Sequence, residues 1–251
     1  MKEQEVKIPL SDSDLYIYGT LRGDYNNPLI ILCHGYGGWM HEMLMYNGAR
    51  FFEKEGFSTL RLSMYGGGEQ SRNISDSDVM THARSIDDTV SFVKNKGASW
   101  LGVAGHSYSG LAIVYSTSQQ FNAAALWDPT HTDGYDDPQS IKNLENDFVL
   151  VEKLNAYVSG LDSGYVYAKS VFDNDYPKSN EMAAKFNVPT CVINASWSKD
   201  QQKYGKDYVE HIAADSKQII IPDSSHPFTE EGAADKLFTE TSDYFKGTLN
   251  H

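Results

Sequence analysis

Short apolar runs recur along this chain, each followed by a stretch of helical periodicity, and this alternation restricts the fold more than any other feature. Leu29–Cys33 is a continuous apolar segment opened by Pro28, of the kind buried on both faces of a parallel sheet. Helical spacing follows over residues 42–54 and closes at Gly56. The order repeats as a strand at 57–62 and a helix at 78–96, where Val79, Ala83, Ile86, Val90 and Val93 share a face and Gly97 caps the end. Next come a strand at 100–104, a helix at 108–118 and the strand Ala123–Trp127. After a break the rhythm resumes with a strand at 190–193, a helix at 202–214, a strand at 218–221 and a helix at 231–246. The expectation is an α/β fold, a mostly parallel central sheet with helices on both faces. Ahead of it, residues 5–10 and 15–21 flank Ser11-Asp12-Ser13-Asp14 and predict a hairpin.

The alternation stops between Pro129 and about Asn187, in a stretch rich in Asp, Ser, Asn and Tyr. Residues 148–158 and 165–172 can pair as a hairpin around 159–164. A structureless loop of that length inside a compact domain is improbable. The expectation is a small lid, about residues 130–187, inserted in a single domain spanning 1–251 and covering the C-terminal edge of the sheet. Its tyrosines (Tyr135, Tyr157, Tyr165, Tyr167 and Tyr176) either line a pocket or pack the lid onto the sheet.

Composition excludes several function classes. Against 21 basic residues stand 34 acidic ones, a formal net charge of −13, which argues against binding nucleic acid or an anionic membrane surface. No run approaches the roughly 18 apolar residues of a membrane span, and the N-terminal segment lacks the apolar core of a signal peptide. Cys33 and Cys191 each sit in an apolar run and read as buried thiols, so a cytoplasmic location is expected. No His, Cys and Asp cluster has metal-site spacing, and Gly66-Gly67-Gly68 lacks the Lys-Ser/Thr of a phosphate loop; no cofactor is expected.

Chemistry is concentrated in Gly105-His106-Ser107-Tyr108-Ser109-Gly110. An apolar strand ends at Gly105 and a helix begins at Ser107, so the serine occupies a sharp turn whose neighbours two positions away must be small. Ser109 departs from the strict G-x-S-x-G pattern but keeps the size. A serine hydroxyl becomes a useful nucleophile when an oriented base takes its proton and donors receive the oxyanion. His34-Gly35-Tyr36-Gly37-Gly38 directly follows the strand Leu29–Cys33, and its position ahead of the serine turn favours a functional role over a plain connector. Of eight histidines, His41, His82 and His211 fall in helix patterns and His251 is terminal. In His34 and His106 the backbone is expected to matter more than the ring. His226, after the last strand, and His131, at the start of the insertion, remain as loop candidates for the base.

These segments resemble the α/β-hydrolase superfamily of serine hydrolases, over about residues 29–110 and 189–227. The Gly- and Ser-rich stretch 61–71 is similar to a loop many members carry. Within the superfamily the chain looks most similar to small-lidded carboxylesterases and feruloyl-esterase-like acyl hydrolases, partly through residues 164–175. The resemblance implies Ser107 as nucleophile, His226 as base and the backbone N–H groups of Tyr36 and Tyr108 as the oxyanion hole. It implies Asp200, after the strand at 190–193, as the acid. Asp128, which ends the preceding strand, is the rival, and Asp207 reads as a helix-surface residue. The implied activity is two-step acyl transfer on a small-molecule ester. Thioester or amide cleavage, or a non-catalytic receptor on the same scaffold, are the alternatives.

Overall fold

The computed structural model describes residues 3–132, 148–159, 165–173 and 175–249. Its first strands, β1 (Glu3–Pro9) and β2 (Tyr16–Arg22), form the expected hairpin. Strand–helix alternation follows as β3 (Leu29–Cys33), α1 (Met43–Lys54), β4 (Ser58–Ser63), α2 (Val79–Asn95), β5 (Leu101–His106), α3 (Tyr108–Val114) and β6 (Ala123–Trp127). The insertion contributes β7 (Phe148–Val151), β8 (Ala156–Ser159), β9 (Val166–Ala168), α4 (Ser170–Asp173) and α5 (Ser179–Ala183). Then come β10 (Thr190–Ala195), α6 (Lys199–His211), β11 (Ser216–Ile221) and α7 (Ala233–Thr248).

Among the described residues one sheet has eight strands in the order β1-β2-β4-β3-β5-β6-β10-β11. The β1–β2 and β2–β4 pairs are antiparallel and all others parallel. Both faces are covered, and the strand period of two divides the side chains between them. Leu29, Ile31 and Cys33 of β3 join a core with residues of α2, α3 and α6, whereas Ile30 and Leu32 join one with residues of α1 and α7. Cys33 and Cys191 are free thiols in these cores, and burial pushes both pKa values up. No helix among the described residues is long and apolar enough to cross a membrane.

The neighbours β3 and β5 send their helices to opposite faces, α1 to one and α3 to the other. Such a reversal leaves a crevice beyond the carboxyl ends of the two strands. His34–Gly38 and Ser107 both lie there.

Several boundaries differ from expectation, and two of them have local reasons. The third helix stops at Val114 because Thr117 N–H and the hydroxyls of Ser116, Thr117 and Ser118 all turn to the Asp87 carboxylate. The sixth starts at Lys199, where Gln202 Nε2 reaches back to the carbonyls of Ala195 and Ser196, 2.8 Å each. In the insertion, β7, β8 and β9 form a small antiparallel sheet. Residues 148–158 are thus two strands, not one, turned by Glu152–Leu154 and by Asn155 at φ 49°.

Candidate active site

Ser107 precedes α3 with φ 53° and ψ −115°, a conformation that costs of order 1–3 kcal/mol for a residue with a side chain. Its surroundings hold it there. Ser107 N–H donates to the Trp127 carbonyl (2.8 Å), and its own carbonyl accepts from Thr130 N–H (3.2 Å). The close turn explains the small neighbours. A Cβ at Gly105 would lie 2.8 Å from the Ser109 backbone, and one at Gly110 would lie 2.9 Å from Pro129 Cβ. Ser109 adds a function that glycine would lack, since its hydroxyl donates to the His34 carbonyl (2.5 Å) and ties the two motif turns together.

The structure brings His226 to Ser107. Nε2 lies 3.0 Å from Ser107 Oγ, and Nδ1 lies 2.7 Å from Asp128 Oδ2. The contacts fit a ring whose Nδ1–H donates to the carboxylate and whose Nε2 accepts from the hydroxyl. Asp128 is wholly buried, and its Oδ1 accepts from Asn194 Nδ2 (3.0 Å) and Ala195 N–H (3.1 Å). The carboxylate against the imidazole is therefore Asp128 and not Asp200. Strand β10 places Asn194 and Ala195 on Asp128, while the early start of α6 puts Asp200 in an exposed first helical turn. The other loop histidine, His131, is buried against Asp207 (Nε2 to Oδ2, 3.0 Å) and stacks on Tyr204.

Two rings do more than their turn positions suggest. His106 Nε2–H donates to the His226 carbonyl (2.9 Å), and the two ring centroids are 4.7 Å apart. Burial lowers the His106 pKa to about 4, so it braces His226 as a neutral ring. His34 is also buried; its Nδ1–H donates to the Gly35 carbonyl (2.8 Å) and its Nε2 accepts from Met64 N–H (3.1 Å). The links from His106 to His226 and from Met64 to His34 are tertiary contacts, and spacing carries no sign of them.

The turn after β3 lies against the serine, since a Cβ on Gly35 would sit 3.3 Å from Ser107 Cβ. Tyr36 follows Gly35, and Tyr108 opens α3, where an N–H has no intrahelical acceptor. The tyrosine rings meet edge to face at 5.1 Å. A cavity of about 660 Å³ opens beside Ser107 and His226, bounded by Gly35–Gly38, the start of α1, Tyr165 and residues 227–235. Of the insertion's tyrosines, Tyr165 lines this cavity and Tyr167 stacks on Tyr36 at 4.9 Å. Tyr157 packs on Phe172, and Tyr176 donates its hydroxyl proton to the Ser170 carbonyl. Tyr135 lies outside the described residues. Among those residues no three His, Cys, Asp or Glu side chains gather as a metal site requires.

No protein-family model matches the chain, and no curated relative matches it. Solved structures do. The α/β hydrolase GrgF from Penicillium sp. aligns over the whole of both chains with a TM-score of 0.80 at 14% identity. Est1E from Butyrivibrio proteoclasticus with bound ferulic acid aligns over 98% of this chain and 100% of its own, TM-score 0.75, at 15% identity. Dienelactone hydrolase from Anabaena variabilis aligns over 99% of each chain, TM-score 0.70, at 15% identity. At such identities the likeness is one of fold.

Proposed function

We propose that this chain, which has the α/β-hydrolase fold, is a serine hydrolase that cleaves carboxylic esters by two-step acyl transfer. The observation that carries the reading is the unbroken line of contacts from buried Asp128 through His226 to Ser107, 2.7 Å and then 3.0 Å. As Ser107 Oγ attacks the ester carbonyl carbon, its proton passes to His226 Nε2 and the carbonyl π pair moves onto oxygen. Asp128 stabilises the imidazolium, and the N–H groups of Tyr36 and Tyr108 receive the oxyanion. Collapse expels the alkoxide, which takes the Nε2 proton, and leaves an ester on Ser107. Water then attacks that ester by the same route. The imidazole is 37% exposed, enough for substrate and water to reach it. The same proposal has the protein act on a small molecule, with no cofactor, in the cytosol, where the thiols of Cys33 and Cys191 stay reduced.

Ser107→Ala is expected to lower kcat on p-nitrophenyl esters by about 10³-fold or more. A fluorophosphonate should label the native protein at Ser107 and nowhere else. Near-wild-type turnover in the folded variant would overturn the assignment, and a folded native protein that never labels points to a receptor instead.

A further inference from the structure

We infer that the Ser107 cavity selects uncharged or cationic substrates and rejects anionic ones, with Glu42 and Asp235 setting that preference. The inference rests on the hydrolase reading above. Three charged side chains line the cavity, Glu42, Glu230 and Asp235, and neither Lys nor Arg is among its described lining residues. Glu230 is already engaged. It accepts from Ser225 N–H (2.9 Å) and from the Ser225 hydroxyl, contacts that hold its carboxyl below the usual range and brace the residue next to His226.

Glu42 is different. Its Oε2 lies over the turn after β3, so close that a Cβ on Gly38 would fall 2.5 Å away, and its one backbone donor, Trp39 N–H, is 3.4 Å distant. Burial raises its pKa above the ordinary carboxylate value, because the charge is poorly solvated. A donor or a cation on a bound molecule would relieve that cost, and an anion would add to it.

Away from the serine, two helix termini at the cavity are likewise closed to an anion. Cavity-lining residues begin both α1 and α7, and a helix N-terminus ordinarily attracts negative charge. Here each end is offset by a carboxylate of the chain itself. Glu42 is the residue preceding α1 and makes no side-chain cap bond there, and Asp235 lies in the first turn of α7. An incoming carboxylate thus meets these two carboxylates, besides that of Glu230, with no Lys or Arg among the described lining residues to offset them. The rest of the wall, including Met43, Leu44, Phe228 and Ala234, suits an apolar body. The acceptable substrate is an ester with an apolar chain that ends neutral or positive.

Phosphonylation of Ser107 tests this without knowledge of the natural substrate. Three alkyl fluorophosphonates of equal chain length would be used, ending in methyl, carboxylate or trimethylammonium, with second-order labelling rates read by mass spectrometry. The phosphonyl centre can place its chain on either side of the serine, so acyl-side and alcohol-side pockets are both sampled. The expected order puts the carboxylate probe at least about tenfold below the methyl probe, with the cationic probe equal to it or faster. In Glu42→Gln/Asp235→Asn the carboxylate penalty should shrink to about twofold, read as a ratio so that any general change in reactivity cancels. Equal wild-type rates for the methyl and carboxylate probes, or a penalty that survives in the double variant, would overturn the inference and leave the hydrolase intact. Failure of all three probes to label folded protein would overturn the hydrolase reading as well.

Discussion

An imidazole serves a serine only when its nitrogen facing the hydroxyl is kept free of a proton, and in the proposed mechanism that task falls, at His226, to a carboxylate shut off from solvent. Asp128 Oδ2 holds Nδ1–H at 2.7 Å while Oδ1 is fixed by Asn194 and Ala195. Asp128→Asn retains the shape but presents an amide that can stabilise the wrong tautomer; kcat on an activated ester should fall by about 10³–10⁴-fold. Asp200→Asn, on an exposed helical turn, should stay within about twofold of wild type. The reverse ranking would show that the acid is Asp200 after all. Ser107 and its turn are legible in sequence because a strand, a small residue and a helix start are local features. The proposed acid is not, because its place depends on which strands lie side by side. Strand β6 pairs with β5 so that His106 faces Trp127, which sets the next residues, Ser107 and Asp128, abreast. Along the chain Asp200 occupies the post-strand position that the resemblance favours. The hydrogen bonds of Asp128 to His226 and to β10 separate the two. His106 escaped for the same reason, since its ring acts on a carbonyl 120 residues away.

At the scale of elements, the insertion is fastened to the sheet domain through Tyr36. The Tyr36 hydroxyl accepts from Ala168 N–H of β9 (2.9 Å) and faces the carbonyls of Ile74 (3.1 Å) and Ser77 (3.2 Å), while its ring stacks on Tyr167. The residue proposed to offer an oxyanion donor from its backbone therefore anchors the small sheet with its side chain. Tyr36→Phe keeps the stack and removes the hub, leaving a buried N–H unpaired at a cost of about 1–3 kcal/mol. Amide exchange should accelerate in β9 and its partner β8 while β3, β5 and β6 stay protected, as hydrogen–deuterium exchange would show. Unchanged exchange in β9 would mean that ring stacking alone holds the element. The break in alternation after β6 is legible in the sequence, and so is the β8–β9 pairing. The insertion's third strand was hidden because residues 148–158 look uniformly extended. The reversal at Asn155 needs a left-handed residue, which asparagine tolerates without advertising it as glycine does.

For the molecule as a whole, three of the buried imidazoles are expected to weaken the fold in acid. Burial lowers the pKa values of His34 and His106 to about 4 and that of His82 to about 3, so all three are neutral in the folded protein near pH 7. Unfolded, each would titrate near its ordinary value of about 6.5. Below that value the unfolded chain binds more protons than the folded one, so stability falls as the pH drops from about 6.5 toward 4. Each ring can contribute at most about 1.4 kcal/mol per pH unit to this slope. A competing effect has the opposite sign, since titration toward the pI of about 4.9 relieves the repulsion of a −13 net charge. That effect acts between surface charges and is screened by salt, whereas the buried rings are not. In 0.15 M salt the imidazoles should therefore win, and urea midpoints should decrease from pH 7 through 6 to 5. His82 offers the cleanest check. Both its nitrogens are buried without a hydrogen-bond partner among the described residues, and it packs between the rings of Tyr36, Tyr65 and Tyr108. His82→Leu removes the titrating group and breaks no hydrogen bond, so between pH 7 and 5 it should lose about 1–2 kcal/mol less stability than the wild type. Parallel stability–pH curves for the two proteins would show that His82 takes up no proton on unfolding and that the acid response lies in other groups.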